Sequence, residues 1–181
     1  MANNSPQNVK LGVCKVFYGG VDLGFTKGGV EVTVETEAYE VQVDQYGNTP
    51  IDEYIMGRTV KVSVPLAETT LENLVAVMPG AKLVTDAVTS KKSVVVPTGV
   101  GESLLTHAKE LVLVPKGTGI SDLRLNDAFR VPKAATPGAM NYSYKLDEER
   151  IFNCEFKGYP VVEDGSEVLF QVGEIEDPTG P

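Results

Sequence analysis

The side chains best suited to chemistry lie on one acidic stretch, "GGVEVTVETEAYEVQVDQYG", Gly28 to Gly47. It carries Glu31, Glu35, Glu37, Glu40 and Asp44. Paired carboxylates in a cleft can hydrolyse glycosides, one as acid and the other as base or nucleophile. That reaction needs sugar platforms and two carboxylates in contrasting environments. The chain has no tryptophan and only 7% aromatic residues, and carboxylates two apart on one strand face are solvated alike. Calcium, which takes oxygen ligands, is another use for such residues, but no D-x-[DN]-x-[DN]-G loop occurs. His107 is the single histidine, and no G-x-S-x-G elbow exists for it to serve. Cys14 and Cys154 alternate with apolar neighbours and read as core, and one His with two distant Cys makes no zinc site. "GFTKGG" and "GTGISD" lack Walker and dinucleotide spacings and read as turns. The expectation is a protein that is not an enzyme and needs no cofactor or metal.

Charge placement says more than charge total. The net charge is −9. Asp22 to Gly57 holds eight acidic residues against Lys27 alone, a net of −7, which leaves −2 for everything else. A segment so poor in Lys and Arg is unsuited to gripping phosphates. The 181 residues suit one domain, and 42% hydrophobic residues suffice for a core. No apolar run has membrane-helix length, and "MANNSPQNVK" does not read as a secretory signal. Two cysteines then read as reduced thiols in a reducing compartment, and the "NYS" sequon at Asn141 carries no weight.

The elements that must position the acids alternate with period two, as strands do. Val9 to Tyr18 is a first strand, followed by a Gly-rich link. Then Val30, Val32 and Val34 oppose Glu31, Thr33 and Glu35. Past Glu37 the phase slips, so that Glu40, Gln42 and Asp44 take the parity of the valines. A bulge or bend near Thr36 to Tyr39 would return every acid to one side. That leaves a long bulged strand or a hairpin.

"DQYGNTPIDEYIMG", Asp44 to Gly57, has loop punctuation yet carries Tyr46, Ile51, Tyr54, Ile55 and Met56. Such a loop either folds onto its own domain or buries those groups on another subunit. "RTVKVSVPL" returns to alternation, with Lys61 on the polar face. "TTLENLVAVMPG" is a short helix over about 69–78, with a Thr69–Glu72 capping box and a Leu71, Leu74, Val75, Met78 stripe. Further strands are expected near Ser93–Pro97, Leu104–Val114, Asn141–Leu146, Ile151–Lys157 and Glu167–Gly173. "KLDEER" is a hairpin turn and "NDAFRVPKAATPG" a connection. The fold class is mainly β, a sandwich or barrel with one flanking helix and a long inter-strand loop. One domain spans 1–173 with an arm at about 1–8, and a flexible tail covers 174–181.

Residues 25–74, "FTKGGVEVTVETEAYEVQVDQYGNTPIDEYIMGRTVKVSVPLAETTLENL", resemble the core of the tail tube (major tail) proteins of long non-contractile-tailed bacteriophages. The Chi-like phages of enterobacteria are the expected subgroup. In that family a "GGVEV" strand leads to an acidic "VDQYG-TP-D" segment, a further strand and a helix. These elements lie here at Gly28–Val34, Val43–Asp52, Gly57–Val64 and Thr69–Met78, and the match covers about 60 residues. The resemblance implies a β-sandwich forming hexameric rings that stack head to tail around a β-barrel channel for DNA. Partners would be further copies of the chain, with tape-measure, tail-tip and tail-terminator proteins, in a virion assembled in the host cytoplasm. DNA would pass without specific binding, and no membrane is involved.

On that reading Glu31, Thr33, Glu35, Glu37, Glu40, Gln42 and Asp44 line the channel, and Lys61 pairs with a neighbouring carboxylate. The inter-ring loop comprises Tyr46, Gly47, Asn48, Thr49, Pro50, Ile51, Asp52, Glu53, Tyr54, Ile55 and Met56. Two alternatives stand beside it. One is a monomeric acidic β-sandwich that binds a cation or basic partner, and the other is the tube of a contractile injection machine.

Overall fold

A computed structural model describes residues 12–87, 89–117, 123–138, 140, 150–176 and 178. The arm at 1–8, the strand at 141–146 and most of the "KLDEER" turn lie outside the described residues. The chain is mainly β and antiparallel, with one α-helix among those residues. Its first strands are β1 (Cys14–Tyr18), β2 (Val21–Asp22), β3 (Glu31–Gln42) and β4 (Pro50–Leu66). Helix α1 (Leu71–Val77) precedes β5 (Lys82–Thr85), β6 (Lys92–Val95) and β7 (Lys109–Pro115). Then come β8 (Ala128–Ala135), β9 (Phe152–Gly158), β10 (Val161–Glu163), β11 (Ser166–Val168) and β12 (Gln171–Gly173).

One large sheet runs in the order β2-β1-β7-β8-β9-β4-β3, with β12 also paired to β8. It curls, because the segment after β2 bonds to β1 on one side and to the base of β4 on the other. Leu23 N–H donates to Val16 O (2.9 Å), while Lys27 N–H donates to Pro65 O (3.0 Å) and Ala67 N–H to Phe25 O (2.8 Å). Inside the curl lie Val16, Leu23, Val60, Val62, Val64, Leu66, Leu111, Val131 and Phe156, with the Tyr18 ring tilted against Phe156 at 4.9 Å between centroids. Burying each large apolar side chain contributes about 1.5–3 kcal/mol. Strand alternation does the sorting: Val60, Val62 and Val64 are buried while Lys61 and Ser63 are exposed.

Strand β7 buries four consecutive residues, Leu111 to Val114, so both its faces are covered. Leu111 and Leu113 face the main core; Val112 and Val114 join Phe17 and Ala128 in a second cluster, capped by Leu123, Leu125 and Ile175. Ile175 falls within the expected tail, yet it packs there and its N–H bonds to Leu125 O (3.1 Å).

Several local expectations are corrected. The "NDAFRVPKAATPG" connection is mostly β8, a central strand. Its proline disguises it. Leu111 pairs Val131 while Lys109 pairs Ala134, so β8 carries an extra residue at Pro132–Lys133. At that point β8 also changes partner on its other edge, from β12 (at Ala128–Arg130) to β9 (at Ala134–Ala135). A bulge is where a strand tolerates a residue with no N–H to donate.

Leu104–His107 is a 3-10 turn and not strand; Ser103 caps it by accepting Leu105 N–H (3.3 Å). Glu167–Gly173 is divided between β11 and β12. The helix is capped by Thr70, whose hydroxyl accepts Asn73 N–H (3.1 Å), and not by Thr69 with Glu72. Its buried residues are Asn73 and Val77, one residue away from the expected stripe in each turn. Asn73 is accommodated because its amide donates to Leu23 O (2.9 Å) and Glu68 O (3.2 Å), tying the helix to the segment that closes the curl.

Candidate functional site

The acidic stretch forms the first strand of a long hairpin. β3 runs unbroken for 12 residues, reverses through a 3-10 turn at Asp44–Tyr46, and pairs along β4. Gly47 leaves that turn with φ 61°, a conformation that suits a residue without a side chain. The expected long loop from Asp44 to Gly57 is therefore corrected: Tyr46 to Thr49 turn the chain, but Pro50 to Met56 are strand. Pro50, Asn48 and Gly47 gave the stretch its loop signature, yet they occupy only the turn and the strand's first position, where a proline costs no ladder bond.

The hairpin stands away from the body. No residue from Gly24 to Thr59 is buried. The far edge of β3 pairs with no strand among the described residues, and β4 meets β9 only from Lys61 onward. Tyr54, Ile55 and Met56 are 59%, 60% and 68% exposed, and Tyr39 opposite them is 60% exposed.

The register corrects the expected sorting of acids. Pairing slips twice, between Glu37 and Ala38 and between Val41 and Gln42. Both times the unpaired residue, Met56 or Ile51, belongs to β4. β3 therefore keeps its own alternation. Glu31, Thr33, Glu35 and Glu37 share a face with Ser63, Lys61, Thr59 and Gly57. Further out, that same face carries Tyr39 with Tyr54 and Val41 with Asp52. Glu40 and Gln42 lie on the valine face with Glu53 and Pro50, and Asp44 lies in the turn. The bulge sits opposite the expected place, so it re-aims β4 and leaves the later acids of β3 where period two puts them.

Near the body the polar face is mixed. Lys61 Nζ lies 3.9 Å from Glu35 Oε2, an exposed and weak pair. The face extends onto β9, where Lys157 pairs with Lys61 and Glu155 with Ser63. Sequence reasoning missed Asn153, Glu155 and Lys157 as part of this surface. Their strict alternation with Phe152, Cys154 and Phe156 was the available signal, but strand order across the sheet could not be read from it.

The other candidates for chemistry are dispersed. His107 Nε2 meets Glu102 Oε2 at 3.3 Å on the surface. Burial pushes the Cys154 thiol up to about 11, and Cys14 is also raised by burial against a smaller backbone hydrogen bond. Both cysteines are free thiols. Arg130 makes two ion pairs: its Nε bonds Glu110, and Nη1 and Nη2 fork onto Glu163 at 3.0 and 3.1 Å. Glu163, more than Glu110, raises its already high pKa. This cluster, one guanidinium between two carboxylates, joins β7 and β8 to the β10–β11 hairpin. No family model matches the sequence, and no curated protein matches it.

Proposed function

We propose that the chain is a structural subunit that self-assembles into stacked rings, forming the tail tube of a long-tailed bacteriophage through which DNA passes. By the family resemblance the rings are hexameric and the site of action is the virion. One observation carries the reading: beyond Val60 the long hairpin has edges unpaired among the described residues, large apolar side chains on both faces, and no buried residue. In a monomer such edges invite aggregation. Pairing them with the hairpins of neighbouring copies closes a barrel, and contacts between unlike faces then build an open filament.

The face bearing Glu31, Glu35 and Glu37 supports a channel wall. Carboxylates there repel phosphates and spare DNA the counterion-driven capture that a basic wall would cause. The distal residues from Tyr46 to Met56 suit contact with the next ring, as strand and turn. Tape-measure, tail-tip and tail-terminator proteins are the further partners of this reading, and no enzymatic step is involved.

Negative-stain microscopy of the purified protein tests it. Rings or tubes are expected, and a strictly monomeric species at high concentration overturns it. Reversing Glu35 and Glu37 should leave tubes intact and impair DNA delivery; unimpaired delivery removes the channel assignment.

A further inference from the structure

A second hairpin, β5–β6, also stands by itself. It forms its own two-stranded sheet, with no strand pairing to the main one. Its register sorts it into two unlike faces. Leu83, Thr85, Val94 and Lys92 share one face. That face turns to the helix, where Lys92 Nζ lies 3.5 Å from Glu72 Oε1. Lys82, Val84, Ser93 and Val95 share the other, and all four are exposed. Lys91 adjoins it at the start of β6 and is also exposed. The free face therefore carries Val84 and Val95, with Lys82 opposite Val95 at one end and Lys91 opposite Asp86 at the other. Residues 79–100 hold Lys82, Lys91 and Lys92 against Asp86 alone, a net of +2 in a chain whose total is −9.

We infer that the free face of the β5–β6 hairpin docks onto the acidic β3–β4 hairpin of a second copy of this chain. This rests on the self-assembly reading and says which surface receives the hairpin. Charge complementarity selects the occupant. Glu40 and Glu53 sit directly opposite each other, an arrangement that is unfavourable until a cation lies between or beside them. Lys82 and Lys91 form no ion pair among the described residues and can supply one. Ala38 and Ile55 flank that carboxylate pair on the same face, and they give Val84 and Val95 an apolar surface to cover. Both partners are β-ribbons of similar width, so they can lie face to face. A basic peptide or a cation would satisfy the carboxylates but leave Val84 and Val95 exposed. A second copy covers both.

Paired charge reversals in the full-length chain test the contact. One variant carries Lys82→Glu and Lys91→Glu, so both its hairpins are acidic. The other carries Glu40→Lys and Glu53→Lys, so its distal ribbon is basic. Each alone is expected to raise the concentration needed for assembly roughly tenfold or more, since every subunit loses several charge contacts. An equimolar mixture should restore assembly, because each variant then complements the other. Wild-type assembly should also weaken as salt rises.

Carbodiimide coupling of mixed isotope-labelled and unlabelled wild-type protein should join Lys82 or Lys91 to Glu40 or Glu53 between copies. Tubes that form without those cross-links, from variants that assemble like wild type, overturn the docking and leave the tube reading standing. Cross-linked dimers that never build rings support the docking and overturn the tube. A chain that stays monomeric at every concentration overturns both. Single variants that fail and are not rescued by mixing overturn the docking, provided that their unchanged melting temperatures show them folded.

Discussion

Removing the distal hairpin should separate folding from assembly. In the variant considered, Asn-Gly joins Glu37 directly to Gly57, replacing residues 38–56; Glu37 and Gly57 already face each other across the ribbon, and Asn-Gly suits a two-residue hairpin turn. No deleted residue is buried, and every core valine of β4 lies beyond the cut. The body should therefore lose less than about 1 kcal/mol, or roughly 2–4 °C in melting temperature for a chain of this size. Assembly should suffer far more. Tyr39, Tyr54, Ile55 and Met56 are each about 60–70% exposed, so covering them is worth about 1–2 kcal/mol apiece. Their sum, about 4–8 kcal/mol per subunit, corresponds to roughly 10³–10⁶ in association constant before any strand pairing is counted. Circular dichroism melts and sedimentation velocity on the same samples read both effects. A variant that assembles like the full chain refutes the reasoning. So does one that melts more than about 10 °C lower, because the hairpin would then belong to the body.

Substitutions at three other positions test the fold around the candidate surface. Asn73→Ala removes the amide that bonds Leu23 O and Glu68 O; it should cost about 1–3 kcal/mol and lower the melting temperature by several degrees, with Asn73→Asp worse because a carboxylate cannot donate. The Cys154 thiol, buried with its pKa pushed from 9.0 to about 11, keeps its proton longer in the fold than in the unfolded chain. Stability should be full below pH 9 and fall between pH 9 and about 11 by about 3 kcal/mol, and urea midpoints for Cys154→Ala should lack most of that fall. Lys61→Gln breaks only the exposed 3.9 Å pair with Glu35, so its melting temperature should stay within about 2 °C of wild type.

The sequence displays the parts of this fold better than their arrangement. Alternation marked Val60 to Val64 and Phe152 to Phe156 because each strand has one face in the core and one in water. It misled at β8, where Pro132 reads as a breaker and only the bulge it occupies makes it compatible with a central strand. It misled again at Pro50 to Met56, where the strand is exposed on both faces and no period is imposed on the sequence. The helix was legible, but its cap was not. Thr69 and Thr70 offer equally good hydroxyls, and the choice is made by Asn73, whose burial depends on carbonyls 5 and 50 residues away. The acidic ribbon was visible as composition, whereas the sorting of its acids depended on which of two strands held the extra residues.

Those extra residues have a mechanical consequence. Met56 and Ile51 lengthen β4 without lengthening β3 between the same pairings. A ribbon with one rail longer than the other cannot lie flat, and each bulge adds right-handed twist. The end carrying Tyr54 therefore points in a different direction from the base carrying Glu31 and Lys61. One hairpin can present its charged base to one neighbour and its aromatic end to another, with no hinge between them.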